Sequence, residues 1–173
     1  MKIKYNKTFK RLLSDYNINL SSDIDINMPK EVINILTDDI ILDNKWIYWK
    51  ENGPLSEEDY FDKNFCYDEK SDNHFHVDWY IQPMNSEQCF KLWIKTVLLL
   101  KEKLIKLRAK GIKITYSFHT PEMSKAHEES LWFNTQGEEY CIWDEISFYK
   151  IRKWPDLDNN FETDYRAFIN IEL

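Results

Sequence analysis

A chain of 173 residues with a net charge of −7 has the size of one ordinary domain and is long enough to bury a core without a metal or disulfide staple. Hydrophobic residues at 43% and aromatic residues at 16% argue against a disordered chain, and apolar runs such as Val97–Leu100 are far too short to span a membrane. Only three glycines are present, Gly53, Gly111 and Gly137, with no G-x-G-x-x-G, Walker A or G-x-S-x-G pattern, which argues against nucleotide-binding and serine-hydrolase functions.

Tyr5 to Tyr16 places Phe9, Leu12, Leu13 and Tyr16 on one face, the spacing of a first helix. A second short helix is expected after Asn27. Pro29 falls in its first turn, where a missing N–H costs nothing, and Val32, Ile33, Leu36 and Ile40 form its apolar side. Lys45 to Lys50 is dense in aromatic and β-branched residues and reads as a strand closed by Gly53-Pro54. An acidic stretch, Pro54 to Asn73, follows, with Ser56 placed to cap a short helix. His74 to Gln82 alternates strictly. Phe75, Val77, Trp79 and Ile81 point one way, and His74, His76, Asp78 and Tyr80 the other, until Pro83 ends the strand.

The strongest pattern is an amphipathic helix over residues 86–110. Asn85 with Gln88 three residues later has the form of a capping box, and Phe90, Trp93, Ile94, Val97, Leu98, Leu104 and Ile105 recur at helical spacing. Lys110 suits the last turn of such a helix, and Gly111 suits a left-handed cap. Ile112, Ile114, Tyr116 and Phe118 then alternate as a strand that Pro121 ends. Glu122 to Ser130 reads as helical, and Tyr140 to Arg152 and Glu162 to Leu173 as two more strands joined across Trp154-Pro155 and a polar turn. In the last strand Tyr165, Ala167, Ile169 and Ile171 share a face. The expected fold is a single α+β domain, 1–173. A mainly antiparallel sheet of about five strands is packed on one face by the long helix, with short N-terminal helices and a second sheet face that is partly exposed and aromatic.

Three widely spaced cysteines, Cys66, Cys89 and Cys141, read as free thiols in a reducing compartment. The N-terminal MKIKYNKTFKRLL lacks the apolar stretch of a signal peptide, so a cytoplasmic location is expected. Abundant Lys, Ile, Asn and Asp is the usage of an AT-rich bacterial or phage genome.

Charge is unevenly placed. Residues 51–85 carry nine acids against two Lys, residues 86–113 carry eight Lys or Arg against two acids, and residues 114–173 carry twelve acids against five Lys or Arg. The basic block is Lys91, Lys95, Lys101, Lys103, Lys106, Arg108, Lys110 and Lys113, the polar side of the long helix and its sequel. A domain of pI about 5.2 is a poor nucleic-acid binder, so these cations are expected to balance acids within the fold. In the acidic block Glu57, Glu58, Asp59, Tyr60, Asp62, Asp68, Glu69 and Asp72 lie among further aromatics, Phe61, Phe65 and Tyr67. Carboxylates steer a basic partner and aromatics supply contact area. A second acidic set is Glu138, Glu139, Asp144, Glu145, Asp156 and Asp158.

The leading expectation is a non-catalytic protein, needing no cofactor, that binds and neutralises a basic protein partner. Its most concrete form is a bacterial immunity protein, an antitoxin-like inhibitor of a cognate toxin. The alternative is a metal-dependent enzyme. On one strand His74, His76 and Asp78 share a face, and His119 at the end of another strand supplies a fourth ligand, a set suited to zinc or non-haem iron. A cysteine nucleophile, Cys141 with His119 or His127, has no local support, and no carboxylate pair stands out among 30 acids. A third reading is a structural or phage accessory protein that self-associates through an aromatic sheet face.

Overall fold

The computed structural model describes residues 1–44, 46–54, 70, 73–80, 84–123, 125, 142–151, 163 and 165–173. In chain order their elements are β1 (Lys2–Tyr5), α1 (Lys7–Asp15), α2 (Lys30–Thr37), β2 (Ile40–Leu42), β3 (Ile47–Trp49), β4 (His74–Phe75), α3 (Ser86–Lys106), β5 (Ile112–His119), β6 (Trp143–Lys150) and β7 (Ala167–Glu172). Five of the strands form an antiparallel sheet in the order β1-β7-β5-β6-β4, and β2 pairs with β3 in a separate two-stranded ribbon. The fold is α+β.

The alternation of Ile112, Ile114, Tyr116 and Phe118 sets the architecture. Ile114 and Tyr116 stand opposite Phe148 and Ile146 on β6, and opposite Ile171 and Ile169 on β7. This apolar face receives α3, whose Phe90, Trp93, Val97, Leu100 and Leu104 are buried in the same core. Phe90 and Trp93 lie 5.2 and 4.7 Å, centroid to centroid, from Phe118. α1 joins through Phe9, which meets Phe90 edge-on at 5.4 Å.

The two ends of α3 follow from local chemistry. At the start, Asn85 Oδ1 accepts the Gln88 N–H at 2.9 Å, and the Gln88 side chain accepts the Asn85 N–H at 3.2 Å, the reciprocal capping box. At the other end the helix stops a turn short of residue 110. Arg108 takes a left-handed conformation with φ 55°, Ala109 N–H donates to Leu104 O, and Arg108 N–H donates to Ile105 O. Those two bonds are a Schellman motif, sealed by buried Leu104 and Ala109. Gly111 is also left-handed, φ 67°, but it starts β5: its N–H reaches Leu173 O and its carbonyl accepts from Ile151. Lys110 lies beyond the helix, and Ile105 is 48% exposed, not on the core face.

Several other expectations are corrected. The aromatic strand at Lys45 to Lys50 is β3, but it belongs to the ribbon and not to the main sheet. Ile40 is in β2, which follows α2 and supplies the pairing. The fifth strand of the main sheet is β1, four exposed residues too short for a periodicity to announce, with Lys2 and Lys4 on the edge as edge strands favour. Asn6 then turns the chain into α1. Fully buried, it accepts N–H bonds from Phe9 and Phe168 and donates to Arg166 O. Tyr165 precedes β7 instead of sharing its face.

The strand expected over His74 to Gln82 ends at Phe75. Asp144 captures the Val77 N–H with both carboxylate oxygens, and residues Asp78–Tyr80 wind into a 3₁₀ turn closed by Tyr80 N–H to Val77 O. The second sheet face also differs in part from expectation. At its centre are Lys113, Thr115, Ser117, Ser147 and Asn170, all buried, with the Thr115 and Ser147 hydroxyls 2.7 Å apart. Its centre is therefore polar and buried, while Tyr149 opposite Lys113 and the partly exposed Phe168 opposite Ser117 give the same face an aromatic share. Most of Glu122 to Ser130, the segment 55–69 with Ser56, the start of the Tyr140–Arg152 strand and the turn at Trp154-Pro155 lie outside the described residues. No helix among the described residues is long and apolar enough to cross a membrane.

Candidate functional site

The eight acidic-segment residues, Glu57, Glu58, Asp59, Tyr60, Asp62, Asp68, Glu69 and Asp72, lie outside the described residues, as do Cys66, Cys141 and His127. The structure does place what surrounds that segment in sequence. Before it, the β2–β3 ribbon is pinned to the start of β4 by Asn73, whose side-chain amide donates to Ile47 O at 2.7 Å and accepts from Trp49 N–H. After it comes the 3₁₀ turn with Trp79, 66% exposed, and Tyr80, 37% exposed.

That turn rests on a short stack of buried polar groups. The Trp79 indole lies on the His76 imidazole at 4.3 Å and 20°, and His76 is itself buried. His76 Nδ1 is 3.7 Å from Asp144 Oδ1, and Asp144 is 2% exposed. Sequence alternation places Trp79 on the core face and His76 on the polar face; the bond from Val77 to Asp144 reverses both. Asp144 shares strand parity with Ile146 and Phe148, the core-facing residues of β6. A carboxylate at such a position is the sequence signal that a buried donor awaits it.

His74 and His119 of the metal reading do not come together as that reading requires. His74 pairs with Ser147 on one side of β6, and His119 pairs with Trp143 on the other. Four residues of strand separate those rungs, about 13 Å along β6. His74 and His76 are ring neighbours at 5.3 Å, but Asp78 starts the 3₁₀ turn instead of continuing a strand face. Among the described residues no three His, Cys, Asp or Glu side chains are grouped to hold a metal ion. Cys89 is a buried thiol on α3 whose sulfur faces Met84 O at 3.8 Å.

Three lysines of the basic helix have partners in the fold, while Lys106, Arg108 and Lys110 are exposed. Lys95 donates to the carbonyls of Ile24 and Ile26 at 3.0 and 3.1 Å. Lys103 donates to Leu36 O and Asp38 O, the carbonyls that end α2, and lies over the Trp49 ring. Burial pulls the Lys103 ammonium below the usual lysine range, against the opposing pull of Asp38 and Asp39. Lys91 pairs with Glu87 one turn back. Lys95 and Lys103 hold the segment 24–38 against α3. Comparison with protein-family models, with curated proteins and with solved structures finds no match.

Proposed function

We propose that this chain is a non-catalytic binding protein that neutralises a basic protein partner, in its most concrete form a bacterial, cytoplasmic toxin-immunity protein. The observation that carries the reading is the internal use of the α3 lysines. Lys91, Lys95 and Lys103 are engaged with Glu87 and with the carbonyls of residues 24–38. Part of the positive block therefore serves the fold, and residues 51–85, nine acids against two Lys, are the most densely acidic segment of the chain. An acidic segment followed in sequence by the exposed aromatics Trp79 and Tyr80 suits a basic protein better than a nucleic acid.

The test is capture from the native host with a tagged full-length chain, compared with a variant carrying Glu57→Lys, Glu58→Lys, Asp59→Lys and Asp62→Lys. The wild type is expected to retain a basic protein at low salt and to lose it both in high salt and in the variant. Retention that ignores salt and charge reversal alike refutes the reading. Elemental analysis after metal-replete expression separates it from the metal-enzyme alternative: stoichiometric zinc or iron would favour the latter.

A further inference from the structure

Trp79 combines exposure with support. One face of the indole is covered by His76 at 4.3 Å, nearly parallel, and the residue as a whole is 66% exposed, so the opposite face looks to solvent. The support beneath it is buried in two layers: His76 is 8% exposed and the Asp144 behind it 2%. Asp144 in turn holds the backbone at Val77, two residues before the indole. An aromatic ring held in this way loses little freedom when a partner docks on it.

The charge of the surrounding sequence selects the occupant. Residues 51–85 hold nine acids and two Lys, and Tyr80 beside the indole is also exposed. An anionic lipid surface, a nucleic acid or a second copy of this chain would each bring like charge to like. A cation suits the acidic composition of the neighbouring sequence and is attracted by the indole face, and a guanidinium additionally stacks on that face. We infer that the outer face of Trp79 is the anchor for an arginine side chain of the basic protein partner. The inference rests on the basic-partner reading above and adds the contact residue and the partner's side-chain chemistry.

The experiment uses the full chain and two probes, a ten-residue arginine peptide and its lysine counterpart, titrated by calorimetry at low and high salt. Trp79→Leu keeps an apolar side chain and removes the π face; its urea midpoint should match the wild type because the residue is exposed. The wild type is expected to prefer the arginine peptide. Trp79→Leu is expected to weaken that peptide about five-fold and to erase the preference over lysine. Equal arginine-peptide affinity in wild type and variant overturns the inference. If that binding is still lost in high salt, the basic-partner reading stands without Trp79. No binding by the wild type at low salt overturns both.

Discussion

Asp144, near the start of β6, accepts the Val77 backbone N–H through both carboxylate oxygens, at 2.8 and 3.0 Å. This contact spans 67 residues of sequence, ends β4 and sets the turn that exposes Trp79. Asp144→Ala leaves that N–H buried with no acceptor, and is expected to cost about 1–3 kcal/mol in urea unfolding. Asp144→Asn keeps one acceptor and should cost less. Equal loss in both variants would mean that the charge beside His76, and not the bond to Val77, is what matters.

Asn6 plays the corresponding role at the other edge of the sheet. Its side chain caps α1 through Phe9, accepts from Phe168 and donates to Arg166 O, all while fully buried. Asn6→Ala removes a helix cap and strands two donors, so a loss of about 2–4 kcal/mol is expected. Thermal unfolding followed by circular dichroism measures it. A loss no larger than that of an isolated cap would show that β7 does not depend on this side chain.

Arg108 sits at φ 55°, in the left-handed position of the Schellman motif, with its side chain exposed. A side chain is strained there and glycine is not. Arg108→Gly is therefore expected to stabilise the protein by about 0.5–1 kcal/mol, read as a higher urea midpoint at unchanged slope. A lower midpoint would contradict the motif.

Tyr116 gives alkaline stability a contribution from a buried phenol. Burial pushes its ionisation well above the ordinary tyrosine value of 10.0, and Asp144 and Cys89 act in the same direction. Above that ordinary value the unfolded chain releases the proton while the folded chain retains it. The unfolded state then binds fewer protons, so the Tyr116 contribution is complete below about pH 10 and declines as pH rises beyond it. Tyr116→Phe should flatten the fall in melting temperature between about pH 9 and 11. At neutral pH it should cost little, because the hydroxyl has no hydrogen-bond partner among the described residues. Parallel alkaline profiles for the two proteins would refute this.

The sequence by itself determined the elements whose cause is local. α3 and its capping box depend on residues within one or two turns, and β5 on its own alternation, so both are legible from spacing. The α+β class follows from those two, because an apolar helix stripe and an apolar strand face must cover each other. Tertiary structure decided everything that needed a distant partner. The four residues of β1 become a strand only because β7 is there to pair with, and His74 to Tyr80 leaves its alternating pattern only because Asp144 arrives from β6. The same holds for function. The lysines of α3 look like a free basic face until Lys95 and Lys103 are found bonded to carbonyls 65 to 71 residues away. Periodicity records which side of an element is apolar; it holds no record of which polar group on another element will take a backbone N–H or a cation out of solvent.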